Sequence, residues 1–413
     1  MLSEPVGSLP VVLTARSPSQ PATFRSVLQP IGPMHRSPRL LPFGAVLVAA
    51  ACNTPSATPA ESAVAPSGAP WTLQVVRPDT SDGIRILILH DMEGLSGQSD
   101  PSSFNYGTPL YPKGQEMLVG DINAVVDGLY QGGATEVLIV DGHGSGNPGP
   151  DVRRDLLDPR AKQILRAESF DGYFDTPNFE EFDGVAVVGM HAKTGSRGFA
   201  SHTFTLGIGI AINGQAITET ELVGLSWGRQ GTPVIFGSGD DRLAADLAGP
   251  MPWIEFVTVK TATAADSAIT RPVDEARAEL TAKAKLAVEN LKAGKTQAMK
   301  APAPLRVGLR AVPPANIAVL DGFPGVTYAD STATITVDSL RAGYDALIKM
   351  VGIATGAYSS QLARIVASRP DGQQILRAYG DQVGKVWFDY ESGRWKAPPA
   401  PVPDTGQRYH GYR

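Results

Sequence analysis

Asp91 and Glu93, in the run Asp91-Met92-Glu93-Gly94, stand two residues apart, so in extended chain their carboxylates share one side. They could grip one ion or two adjacent ones. Further along come Asp141-Gly142-His143, then His191, then His202, which is three of the chain's six histidines in one region. A carboxylate and imidazole set without thiolate suits Zn²⁺ or a similar divalent ion, and two histidines with several carboxylates suffice for two ions sharing a carboxylate bridge. Such a pair holds a hydroxide and polarises a carbonyl, which makes amide hydrolysis the reaction class to expect. The remaining acidic ligand stays open, because the helix expected at 217–229 offers both Glu219 and Glu221 and periodicity does not choose between them.

These residues need elements that deliver them to one place. Residues 84–90 (IRILILH) form an aliphatic run bounded by polar residues, the pattern of a strand buried on both faces of a parallel sheet. A helix is expected over 113–130, where Met117, Leu118, Ile122, Val125, Val126 and Leu129 recur at helical spacing and Gly132-Gly133 ends it. The run 136–143 (EVLIVDGH) supplies a second strand and completes a βαβ unit. Further strands are expected at 184–191, 204–212 and 233–238. Ligands of open α/β sheets gather beyond the carboxyl ends of the strands, which is where Asp91, Glu93, His143 and His191 fall. The second half reads differently: a helix at 272–293, strands at 304–311, 316–320 and 332–337, and a helix at 338–355. The expected fold class is therefore α/β, a largely parallel sheet flanked by helices carrying the metal site (83–265), followed by a smaller α+β lobe (266–356). Residues 357–413 form a C-terminal extension.

Composition narrows the function. The net charge is −5 with the charges scattered, which excludes a nucleic-acid binder that needs a basic footprint. No stretch offers the roughly 20 uninterrupted apolar residues of a spanning helix, so a polytopic membrane protein is excluded. The chain holds 44 glycines and 34 prolines, and prolines crowd residues 5–70 and 397–403, which are poor candidates for a packed core. Its one cysteine, Cys52, cannot build a disulfide framework or a thiolate zinc site. From Met34 the chain reads MHRSPR and then a short apolar run, 40–51, ending in Ala49-Ala50-Ala51 before Cys52. A basic region, an apolar run too short to span and small residues before a cysteine resemble a bacterial lipoprotein signal, with Cys52 lipidated. Ala49 departs from that pattern, which usually has Leu there. Residues 1–33 fit no export pattern, which leaves Met34 as an alternative start. Residues 53–82 then read as a flexible tether and place the body outside the cytoplasm, in a bacterial periplasm or cell envelope.

The segments DMEGLSG (91–97), DGH (141–143), MHA (190–192), SHT (201–203) and INGQAITETEL (212–222) together resemble the D-aminopeptidase family of the DppA type, peptidase family M55. The likeness runs in order from about residue 84 to about 356. It implies a dinuclear zinc centre in which Asp91 bridges and Glu93, His143, His191 and Glu219 complete the ligands, with Glu219 and not Glu221 as the last. It also implies that His202 is catalytic. The implied cofactors are two Zn²⁺ or similar divalent ions per chain, and the implied activity is removal of N-terminal, D-configured residues from short peptides or amino-acid amides. His90 departs from the family, which has a small residue there; it is a bystander or a partner of a ligand. The family also lacks the exported N-terminus and residues 357–413, so its cytoplasmic location and ring-shaped assembly stay open for this chain. The expected partners are a small peptide substrate, no nucleic acid, a membrane only through Cys52, and a homo-oligomer as an open option. Two alternatives remain: a metal amidohydrolase acting on a non-peptide amide, and a non-catalytic surface lipoprotein that binds peptides in the same cleft.

Other motifs read more simply. GHGSG (142–146) leads into Asn147-Pro148 rather than a helix, so it suits a loop making room at the metal site better than a phosphate cradle. Asp240-Asp241 suits a cap on the following helix. Trp387, Phe388, Tyr390 and Trp395 suit a strand or turn folded back on the body.

Overall fold

A computed structural model describes residues 70–379 except 145–146, 148, 165–170, 177–180, 206, 313–316 and 357, together with residue 396. Cys52, most of the stretch 53–82 and the aromatic residues 387–395 lie outside the described residues.

A seven-stranded sheet carries the fold, built from β2 (Arg85–His90), β3 (Glu136–Asp141), β4 (Lys162–Gln163), β5 (Gly184–Val188), β8 (Val234–Asp240), β9 (Glu255–Ala264) and β10 (Ser267–Thr270). Its order is β10-β9-β8-β5-β2-β3-β4, parallel throughout except for the edge strand β10. The aliphatic runs are continuous because both faces are covered. Ile86 and Ile88 of β2 enter one core with α1 (Tyr111–Gly132) and α4 (Val273–Lys292), while Leu87 and Leu89 enter the other. Val137 and Ile139 of β3 follow the first pair, and Leu138 and Val140 the second. The helices α1 and α4 lie against each other at close range: a Cβ at Gly128 would meet the Thr281 carbonyl at 2.2 Å. Glycine there lets the two backbones approach, which a larger residue would prevent.

The second face of the sheet carries α2 (Glu219–Gly228) and α5 (Leu340–Gly356), with a five-stranded antiparallel sheet beside them. That sheet has the order β13-β14-β12-β6-β7. It draws on both halves of the chain: β6 (Ile208–Ile212) and β7 (Gln215–Ile217) join β12 (Leu305–Ala311), β13 (Thr327–Ala329) and β14 (Thr332–Val337). The α/β class with a largely parallel, helix-flanked sheet is therefore the observed one. β10 and α4, by contrast, sit with the parallel sheet although they follow residue 265.

Three local differences have physical causes. The strand expected at 316–320 is a 3₁₀ turn at Ala318–Leu320; Ile317 and Leu320, three apart, are buried while Val319 is exposed, a spacing that suits a turn and not period-two alternation. β1 (Thr72–Val76) falls inside the stretch expected as tether, because it pairs antiparallel with β11 (Thr296–Lys300). A partner that far along the chain leaves no trace in local composition. Beyond α5, α6 (Tyr358–Ala367) begins the extension. Among the described residues no helix is long and apolar enough to cross a membrane.

Candidate metal centre

The chain leaves β2 through Asp91–Gly94 and at once leans on the turn after β5. Asp91 N–H donates to the Val188 carbonyl at 2.8 Å and Gly94 N–H to the Gly189 carbonyl at 2.7 Å. A Cβ at Gly94 would lie 2.0 Å from the Met190 carbonyl oxygen, so only glycine lets the two turns touch. This contact brings Asp91 and Glu93 beside His191. His143, just beyond β3, is set by its own N–H donating to Asp141 Oδ1 at 2.9 Å. Glu219 opens α2. Glu221 is committed to capping that helix: Thr218 N–H donates to Glu221 Oε2 at 2.6 Å, and Glu221 N–H to Thr218 Oγ1 at 3.0 Å. Of the two acids left open by periodicity, Glu219 joins the cluster of candidate ligand atoms and Glu221 does not.

Two groups of ligand atoms, each within 4.8 Å of one another, share Asp91: Asp91–Glu93–His143 and Asp91–His191–Glu219. His143 Nε2 lies 3.4 Å from Glu93 Oε1. His191 Nε2 lies 3.3 Å from Asp91 Oδ2 and 3.5 Å from Glu219 Oε1. All five residues are buried. His202 is part-buried and stacks on His191 with ring centroids 3.9 Å apart and planes 14° from parallel. It also forms a third group with Glu93 and His191, so position alone does not separate it from the ligands. Its loop is held in a costly shape. Arg197, Ala200 and Phe204 all take left-handed backbone angles, each at roughly 1–2 kcal/mol for a residue with a side chain. The loop is fastened by Phe199 N–H on Asp240 Oδ2 and Phe204 N–H on Glu219 Oε1, both at 2.7 Å. Asp240 meanwhile caps α3 (Asp241–Leu247), as its position before a helix suggested.

Several supporting residues were not singled out from the sequence. Asp151 accepts from the His143 ring, Nδ1 to Oδ2 at 2.8 Å, and takes the Tyr111 hydroxyl on its other oxygen. Tyr173 donates its hydroxyl to Glu219 Oε2. Lys260, fully buried, reaches the Glu93 carbonyl at 2.5 Å. The only sequence signal for Asp151 was its place just after the glycine-rich loop at 142–150. His90 is buried at the end of β2, its Nε2 3.9 Å from Asp141 Oδ2.

Burial and neighbouring charge shift each titratable group of the cluster. Burial, then the neighbouring Glu93, pushes Asp91 up to about 7. Burial alone would raise Glu93 and Glu219, but His143 holds Glu93 well below the usual carboxylate range and His191 holds Glu219 down at about 2. Burial would likewise lower the two histidines, yet Glu93 and Asp151 lift His143 well above its ordinary value, and Asp91 and Glu219 do the same to His191. Three crowded carboxylates thus draw protons onto imidazoles that a divalent ion would need neutral. His202 is different: burial and the charge of His191 lower it. The donor set fits a metal on a second ground. His191 Nδ1 is engaged by the Ala192 carbonyl at 3.0 Å, while its buried Nε2, aimed at two carboxylates, makes no hydrogen bond. That is the orientation of a ligating histidine.

The chain is similar to known proteins. A curated D-aminopeptidase from Bacillus subtilis (strain 168) is 28% identical over 177 residues, which is 41% of this chain and 61% of that protein. The solved structure of the Zn-dependent D-aminopeptidase DppA from Bacillus subtilis, described as a self-compartmentalizing protease, superposes with a TM-score of 0.59 at 22% identity. It covers 66% of this chain and 98% of that one, and at this identity it speaks for the fold. The peptidase M55 (D-aminopeptidase) family model matches residues 84–350, from the first strand of the parallel sheet into α5, and the chain belongs to that family.

Proposed function

We propose that this protein is a dinuclear zinc aminopeptidase that releases D-configured N-terminal residues from short peptides or amino-acid amides. The observation that carries the reading is Asp91, whose carboxylate belongs to both ligand groups, as a carboxylate shared by two ions must. Glu93 and His143 would complete one ion's shell and His191 and Glu219 the other's. Zinc and the D-configuration rest on the family and on what the two Bacillus subtilis proteins are named for.

Zinc bound there supplies a hydroxide at neutral pH and polarises the scissile carbonyl. The chain's own groups do the rest. His202 is the least buried of the six residues, and its Nδ1 is engaged by the Ala200 carbonyl at 2.7 Å, which leaves Nε2 to accept a proton. Its lowered pKa keeps it neutral, so it can take a proton during attack and return it to the departing amine. Asp151 holds the His143 ring, and Tyr173 with the Phe204 N–H holds both oxygens of Glu219, so the acids keep their direction through the reaction.

The test is turnover of paired D- and L-aminoacyl amides by the full chain, with metal analysis. The reading expects about two zinc ions per chain, D-selective hydrolysis, loss of activity with chelator and its return with zinc. One ion or none after reconstitution sinks the dinuclear site. Two ions with no turnover on any amide would favour the non-catalytic peptide-binding alternative.

Lipidation at Cys52 and a periplasmic or envelope location belong to the same proposal, on the strength of the basic flank, the apolar run and the small residues before the cysteine. Cys52→Ala should release the protein from the membrane fraction; unchanged association would end that reading. Assembly into a homo-oligomer, suggested by the description of the Bacillus subtilis structure as self-compartmentalizing, is checked by mass from light scattering.

A further inference from the structure

Lys260 sits on β9 where the register against Gly239 and Asp240 shifts. Its side chain is completely buried. Nζ donates to the Glu93 carbonyl at 2.5 Å and to Gln98 Oε1 at 2.7 Å, has the Gln98 carbonyl at 3.4 Å, and stands 3.9 Å over the Phe199 ring. Among the described residues no carboxylate oxygen lies within 4.0 Å of it. A primary amine buried among neutral acceptors is expensive compared with an apolar side chain of the same length, so packing alone does not account for it. Its partners show what it holds. Gln98, fixed by Lys260, donates through Nε2 to the Met92 carbonyl at 2.7 Å. The carbonyls of Met92 and Glu93 are therefore both fastened by one buried pair, 260 with 98, beneath the turn that carries Asp91 and Glu93.

We infer that Lys260 is a positioning residue of the metal centre: by clamping the peptide of Glu93 it aims the Glu93 carboxylate at the ion shared with His143. The inference rests on the metal reading above. Groups that orient a ligand this way are typically worth about 10–100-fold in metal affinity or activity when removed.

The full chain is compared as wild type, Lys260→Met, which keeps the stem and loses the donors, and Leu280→Ala, a buried control on α4. Zinc affinity is read by chelator competition and ligand geometry by the Co²⁺ absorption spectrum. Lys260→Met should bind zinc about tenfold or more weakly at one of two sites and shift the cobalt spectrum. Leu280→Ala should melt lower with affinity and spectrum unchanged, which separates positioning from a general loss of stability. Wild-type affinity and spectrum in Lys260→Met overturn the inference. Should Lys260→Met not fold, Gln98→Met decides it, since it cuts the link to Met92: a weaker site with an altered spectrum supports the clamp, and an unaltered one refutes it. A wild type that binds no zinc sinks the metal reading itself, and this inference with it.

Discussion

The two halves of the candidate centre meet at Asp91 but are supported differently. On one side, His143 leans on the carboxylate of Asp151 and the Glu93 carbonyl is held by Nζ of Lys260. On the other, His191 leans on the Ala192 carbonyl, and Glu219 takes a hydroxyl from Tyr173 and an N–H from Phe204. The His143 ring rests on one carboxylate, whereas Glu219 is held on both oxygens by neutral donors. Losing the support of the His143 ring should therefore cost more than losing one of the two bonds on Glu219. The contrast also has a topological origin. The first half comes from the ends of β2 and β3, within one βαβ unit, whereas the second joins the end of β5 to a helix that begins beyond β7.

Asp91→Ala should have the largest effect, because it removes the one residue common to both halves. Both ions should be lost, and kcat/KM should fall at least about 10³-fold, since metal assistance supplies several kcal/mol at about 1.4 kcal/mol per decade. Metal analysis of the variant checks it; retention of both ions would mean that Asp91 does not bridge.

His202→Ala comes next. With its Nδ1 engaged by Ala200 and its ring stacked on His191, His202 stands between the halves without belonging to either pair around Asp91. The variant should keep both ions while kcat drops about 10²–10⁴-fold, the usual worth of general acid–base help. Loss of an ion would instead make His202 a ligand, in line with its place in a group with Glu93 and His191.

How much of this was legible in the sequence follows from the distance over which each contact acts. Asp91, Glu93, His143 and His191 stand at strand ends, and a strand whose two faces are both buried announces itself as an unbroken aliphatic run. Glu219 needed the family resemblance, because Glu221 lies two residues away and only the capping geometry tells them apart. Apart from the place of Asp151 just after the glycine-rich loop, the supporting residues were not legible. Lys260 lies 167 positions from Glu93, in a strand where a lone lysine reads as solvent-facing, and Tyr173 lies 46 positions from Glu219. β1 and β11 were missed for the same reason, since each gains its identity as a strand only from a partner more than 200 positions away. The turn at Ala318–Leu320 shows the opposite error, a short apolar stretch with no strand to pair with among the described residues.

Asp151→Asn sharpens the contrast between the halves. Asparagine can still accept from the His143 ring, but without the charge that makes the imidazole a better donor to metal. The expected outcome is a roughly 10–100-fold weaker site on the Glu93–His143 side, with the other unchanged. A zinc titration should then resolve one tight and one weakened step. Equal weakening of both would show that the halves do not bind independently.

Tyr173→Phe probes the neutral-braced half and should have the smallest effect. It removes the hydroxyl from Glu219 Oε2 and leaves the ring, whose edge meets Phe204 at a centroid distance of 5.4 Å, so packing is kept. Glu219 retains the Phe204 N–H on its other oxygen, at 2.7 Å, and so keeps its aim. Because that second bond remains, the loss should lie at the low end of the about 1.5–3 kcal/mol of a bond to a charged group, roughly tenfold in affinity. The weakening should appear only on the His191–Glu219 side, opposite to the pattern for Asp151→Asn. The same titration reads both variants. A loss in Tyr173→Phe as large as the upper end expected for Asp151→Asn would mean that the second bond on Glu219 does not hold its direction.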